Sequence, residues 1–118
     1  MRALILASAL LPAIAMPAPY VQTLTGDQFV SMMNRPQPLS AADYMAREKA
    51  YSYLNGARDS TEGRVWCDVN TLKTPDLADD MAARLAKLPA TERRKNAAVL
   101  LLDQLRRAHP CPQARGQS

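Results

Sequence analysis

Any chemistry in this chain would have to come from very few side chains. Its two cysteines, single histidine and single tryptophan fall in two short stretches, Trp66-Cys67 and His109-Pro110-Cys111. Cys67, Asp68, His109 and Cys111 are donors a metal could use, but their spacing lacks the paired motifs of closed zinc sites. A nucleophilic pair of His109 and Cys111 is interrupted by Pro110, and His109 falls in the last turn of a helix, where the dipole favours a cation. Asp76, Asp79 and Asp80 crowd one helix start, a place where carboxylates suit free amides better than acid-base work. These residues assign no catalytic, cofactor-binding or metal-ligating role, and the chain is not read as an enzyme.

The elements that position the two stretches follow from the order of the chain. Met1-Arg2 precedes Ala3 to Ala15, an uncharged run made mostly of Ala, Leu and Ile and ending in Ala13-Ile14-Ala15. A run this far below the roughly 20 residues needed to span a bilayer, closed by a small-x-small site, predicts a cleaved secretory signal over residues 1–15. An uncleaved anchor or a buried helix is the alternative. No cysteine lies near the site to take a lipid. Export places Cys67 and Cys111 in an oxidising compartment, where an even count favours one disulfide. Closing a loop of about 45 residues would contribute roughly 4 kcal/mol by chain-entropy reasoning.

The chain has 118 residues and a formal charge of +4, enough for one domain and too little charge to argue for nucleic acid. Arg93-Arg94-Lys95 and Arg106-Arg107 read as solvated helix faces. Residues 16–24 contain two prolines and no periodic pattern, so a loose mature N-terminus is expected.

From Thr25 onward the chain reads as helices. Thr25 with Gln28 makes a capping box for a short helix that ends at Asn34-Arg35 before Pro36 and Pro38. Ser40 opens a second helix with Asp43 at its third position, Leu39 and Tyr44 placed as a hydrophobic staple, and Tyr44, Ala50, Tyr51, Leu54 and Ala57 as the buried side. Gly56 is either its C-cap or a point of close approach by a neighbouring helix, and close approach is favoured.

Asp59 to Arg64 then reads as a polar loop, and Val65-Trp66-Cys67 as an extended return to the core. Thr74-Pro75-Asp76 starts a third helix with Leu77, Met81, Leu85 and Leu88 on one stripe, ended by Pro89. A fourth helix runs from about Thr91 to Ala108, with Ala97, Ala98, Leu101, Leu105 and Ala108 inside and Leu102 widening the face. The expected fold is all-α, a small bundle of about four helices tied by one disulfide, over residues 25–112, with a flexible tail at 113–118.

With no catalytic set, recognition is the remaining function. Trp66 is read either as core packing over the disulfide or as an interface anchor. The Arg58 to Arg64 segment is polar and held at both ends, which makes Arg58, Asp59, Glu62 and Arg64 candidate partner contacts, or an idle connector.

The order Tyr53-Leu54-x-Gly56-x-x-Asp59, Trp66-Cys67, Leu77, Leu85-x-x-Leu88-Pro89, Ala97-Ala98 and Leu105-x-x-x-His109-Pro110-Cys111 resembles the Rap/Tai immunity protein family. Those are small exported helical proteins of Gram-negative bacteria that protect against peptidoglycan amidases delivered by type VI secretion. The likeness covers roughly residues 25 to 112. Many members carry an earlier cysteine pair, where this chain holds Met33 and Ala50.

The resemblance implies a periplasmic homodimer that inhibits a secreted amidase sterically, and the small charge and the expected cleavage add no nucleic acid, no membrane after signal cleavage and no cofactor. The alternative is a small periplasmic helical chaperone or stress protein with no toxin partner.

Overall fold

The computed structural model of the protein describes residues 24–68 and 71–113. The signal over 1–15, most of the mature N-terminus and residues 114–118 of the tail lie outside the described residues. Within them the chain forms five helices and no strand: α1 (Gly26–Met33), α2 (Ala41–Thr61), α3 (Thr74–Ala86), α4 (Ala90–Arg93) and α5 (Ala97–Ala108). None of these helices is long and apolar enough to cross a membrane.

Side chains fix the starts of three helices. The Thr25 hydroxyl accepts from the Gln28 amide at 3.2 Å while Gln28 Oε1 accepts from the Thr25 amide at 2.9 Å. Ser40 and Asp43 do the same for α2, at 3.2 and 2.9 Å. The Ser40 amide, and after it the Ser40 hydroxyl, hold the Asp43 carboxyl below its ordinary value of 3.8. These are reciprocal capping boxes, each satisfying two amides that a helix start leaves free. Asn96 caps α5 through Val99 N at 3.2 Å, and the Tyr53 hydroxyl takes the next free amide, Ala98 N, at 3.0 Å.

This Asn96 cap corrects the expectation of one fourth helix from Thr91. After α4 the Lys95 amide bonds to Glu92 O and the Gly26 amide to Lys95 O, both at 3.0 Å, so the chain turns and restarts. Leu24 O accepts from Ala97 N at 2.9 Å, which ties the start of α1 to the start of α5. Leu24, expected in the loose N-terminus, is packed against the core.

α1, α2, α3 and α5 close around one apolar interior. Trp66, Phe29, Leu54, Met81, Leu85, Leu101 and Leu105 are its largest fully buried side chains. The stripe on α3 sits as its spacing predicts, with Leu77, Met81 and Leu85 buried and Leu88 packed at the edge. α2 buries Ala50 and Leu54 as expected and packs Tyr51 against the core, but it adds Ala46 and leaves out Tyr44. Ala46, Ala50 and Leu54 point inward, whereas Tyr44 is 61% exposed, so the proposed staple with Leu39 does not draw Tyr44 into the core.

The close approach expected at Gly56 belongs to Gly26. Gly56 is exposed in mid-helix, and a Cβ there would meet nothing within 4 Å. A Cβ on Gly26 would lie 2.5 Å from Leu100 Cδ1 and 2.9 Å from the Arg93 carbonyl oxygen, where backbone cannot give way cheaply. The two glycines should therefore respond oppositely to alanine. Gly26→Ala should cost about 1–3 kcal/mol through overpacking, and Gly56→Ala should add about 0.5–1 kcal/mol of helix propensity. Urea midpoints of the two variants measure both signs in one experiment.

Candidate functional site

α2 does not stop where the sequence suggests. It runs through Arg58 and Asp59 to Thr61, with serine and threonine hydroxyls bonded back along it: Ser60 Oγ to the Gly56 carbonyl at 3.0 Å, Thr61 Oγ1 to the Ala57 carbonyl at 2.5 Å. The expected polar loop is thus the last turn of a helix followed by a tight turn. In that turn Gly63 adopts φ +81°, a conformation glycine takes without steric cost, and its amide bonds to the Trp66 carbonyl at 2.7 Å. The Arg64 guanidinium folds back onto the Ser60 carbonyl.

Trp66 follows the turn and points inward with 0% exposure. Its indole N–H donates to Thr61 Oγ1 at 3.0 Å, and its ring meets His109 edge-on with centroids 6.2 Å apart. The packing reading therefore replaces the interface-anchor reading, because the side chain offers no surface to a partner. Cys67 and Cys111 form the expected disulfide, with Cα atoms 4.7 Å apart, and the Cys67 amide donates to the His109 carbonyl at 2.9 Å. Both sulfurs are thereby committed to each other and not to a metal or a nucleophilic role.

Arg58 is the hub of this end of the molecule. Its Nη1 donates to Thr74 Oγ1 at 3.0 Å, and its Nη2 donates to Asp68 Oδ2 at 3.3 Å and the Leu72 carbonyl at 3.0 Å. The guanidinium carbon also lies 5.8 Å from the centroid of Trp66, within cation–π range. The Arg58 and Asp68 side chains are only 16% and 14% exposed. A planar fork reaching three acceptors over an aromatic face is a task for arginine specifically.

Thr74, expected as the N-cap of α3, is instead its first residue. Its hydroxyl serves this network, accepting from Arg58 and donating to Asn55 Oδ1 at 2.5 Å. Arg58 was singled out by sequence as a contact. In the structure it holds the end of α2 to the start of α3.

Around the hub lies an open cleft of about 580 Å³, lined by Asn55, Arg58, Asp59, Glu62, Asp68 and Thr71. Asp59, Glu62 and Arg64 are exposed at or beside its rim. Among the described residues none of these three makes an ion pair, whereas Asp27, Asp43, Asp68, Asp79, Asp80, Glu92 and Asp103 all do. Glu62 Oε1 accepts from the Asp68 backbone amide at 3.3 Å. The structure thus brings Arg58, Asp59 and Glu62 to one cleft, sets Arg64 on the adjoining turn and places Trp66 beneath them.

Asn55, Asp68, Thr71 and Thr74 are the parts that the sequence reading missed. Asp68 drew attention only as a possible metal donor, and nothing in local spacing links position 58 to positions 68, 72 and 74.

The alignment of the whole domain decides the assignment. A family model described as Rap1a immunity proteins matches residues 25–111, most of the chain. The chain belongs to the Rap1a immunity protein family. No curated protein matches it. The matched span runs from the Thr25 capping box to the second disulfide cysteine, so the family assignment and the described fold cover the same residues. The Rap1a family match agrees with the likeness to Rap/Tai immunity proteins noted from the motifs. Membership of an immunity protein family implies a protein effector as the partner of this chain.

Proposed function

We propose that this Rap1a family protein is exported to the periplasm, after cleavage following Ala15, and there inhibits a type VI peptidoglycan amidase effector by blocking its cleft. The match of the family model over residues 25–111 carries the reading. A disulfide between Cys67 and Cys111 fits an oxidising compartment. Inhibition by occlusion changes no bond, so it needs no cofactor and acts one chain per effector site. A two-fold homodimer is the proposed assembly, since closed two-fold pairs are the commonest oligomers.

The contact surface is proposed at the cleft by the end of α2. Asp59, Glu62 and Arg64 lie exposed there without ion-pair partners among the described residues, and so have charge to offer an effector at little desolvation cost within this chain. Arg58 supports the surface from below by holding α2, the 62–68 turn and α3 together.

A triple variant tests the assignment: Asp59→Ala, Arg64→Ala, and Glu62→Gln, which keeps an oxygen for the Asp68 amide. Thermal unfolding should change by less than about 0.5 kcal/mol, as exposed charges usually do. Effector binding should weaken by about tenfold or more, chiefly through slower association. Unaltered binding would move the interface off this cleft.

A further inference from the structure

The outer face of α2 carries an apolar groove that the proposed effector surface does not use. Tyr44, Met45, Glu48, Lys49, Ser52 and Tyr53 line its volume of about 650 Å³. It lies on the side of α2 away from Ala46, Ala50 and Leu54, which the helix buries. Tyr44 is 61% and Met45 63% exposed, more than any other large apolar side chain among the described residues. Apolar surface gathered in one groove marks a binding site more often than scattered exposure does.

Two charges in this groove are unused within the chain. Glu48 and Lys49 are exposed, and among the described residues neither makes an ion pair. Neither has a charged residue three or four positions away, the spacing at which helix neighbours pair. A second apolar cleft, beside Val65 and Val99, differs in this respect. Its Glu92 pairs with Lys95 and its Asp103 with Arg106, so its charges are already satisfied.

We propose that the outer face of α2 is where two copies of the chain meet, antiparallel about a two-fold axis at the Glu48–Lys49 step. This rests on the two-fold assembly proposed above and not on the effector reading.

A surface that meets its own copy must be complementary to itself. A patch of one sign would repel its copy, whereas an acid beside a base does not. At the axis each copy's Glu48 comes within reach of the partner's Lys49, and the charges gathered there sum to zero. Contacts of this kind set register and orientation more than they add affinity.

Size is matched as well. Met45 and Ser52 are seven positions apart, two turns along the same side of α2, and lie equally far from the axis. Antiparallel pairing therefore sets the long Met45 side chain over the small Ser52 of the partner subunit, at both ends of the contact. Tyr44 and Tyr53 border this seam on its two edges. Tyrosine and methionine are side chains that interfaces favour over the rest of a protein surface.

Charge reversal tests the pairing on the disulfide-bonded chain 16–118, with mass read by light scattering at tens of micromolar. The native chain should run at twice the monomer mass. Glu48→Lys leaves only cations at the axis and Lys49→Glu only anions, so each variant alone should fall to the monomer mass. Mixed in equal amounts, the two should return to the dimer mass, because opposite charges then meet. Both reversals in one chain should also give the dimer. Circular dichroism should be the same throughout, since both positions are exposed and lie outside every in-chain ion pair. Single variants that stay dimeric beside a dimeric native chain would overturn the α2 face and leave the two-fold assembly standing. Folded single variants that remain monomeric when mixed, or a monomeric double variant, would overturn the face too. A monomeric native chain would overturn both the face and the assembly.

Discussion

Serine in place of both Cys67 and Cys111 should lower the free energy of unfolding by about 2–5 kcal/mol, the usual loss when a small secreted domain gives up its bridge. The size follows from where the bridge sits. Cys67 lies in the connection after α2, Cys111 lies just beyond α5, and 44 positions separate them in sequence. Apart from the bridge, the described ties of His109 to the 66–67 segment are one backbone hydrogen bond to Cys67 and the edge contact with Trp66. For a domain whose net stability is about 5–15 kcal/mol, such a loss is a large share of the total. Urea titration followed by the emission of Trp66, the only tryptophan, reads the midpoint directly, and an unchanged midpoint would mean that the bridge contributes nothing to the fold.

Arg58→Ala should come second, at about 2–3 kcal/mol, as expected for removing several hydrogen bonds that involve a charged, mostly buried group. Three acceptors, Asp68 and Leu72 in the α2–α3 connection and Thr74 at the start of α3, lose their donor, and Trp66 loses the cation above its ring. Arg58→Lys should recover only part of the loss, since an ammonium cannot reach the three acceptors in the plane of a fork. Asp59→Ala, one residue along the same helix, should change stability by less than about 0.5 kcal/mol. Thermal unfolding of the three variants gives the comparison. Equal effects at 58 and 59 would contradict the division between a structural hub and an exposed rim.

That division shows what could and could not be read from sequence. The capping box at Thr25, the helix start at Ser40 with Asp43 at its third position, and the apolar stripe of α3 were legible because they depend on neighbours three and four residues away. The disulfide was legible because only two cysteines exist to pair. The path of residues 58 to 64 was not legible. A run of Arg, Asp, Ser, Thr and Glu has the composition of a loop, and what keeps it helical is the anchoring of Arg58 to residues 68 to 74, a tertiary effect that overrides local preference.

The split between α4 and α5 was hidden for a related reason. Asn96 becomes a cap only because Leu24, far away in sequence, takes up the Ala97 amide and Tyr53 the Ala98 amide. Gly26 and Gly56 make the same point from packing. Sequence suggested that α2 needed a glycine for close approach, but the residue under pressure is the one wedged between Arg93 and Leu100. Within the candidate site, Asp59, Glu62 and Arg64 were proposed from polarity alone. The buried roles of Arg58 and Trp66 required the fold.

The central claim is that this Rap1a family protein silences an amidase effector by occupying it. The most direct measurement is peptidoglycan hydrolysis by a type VI amidase effector from the same cell, titrated with the disulfide-bonded chain 16–118 at an enzyme concentration well above Kd. The account predicts a straight-line fall in activity that reaches zero at a whole-number ratio of chain to enzyme, unchanged by chelators and made shallower when Asp59, Glu62 and Arg64 are replaced. Full activity in the presence of excess folded chain would contradict it.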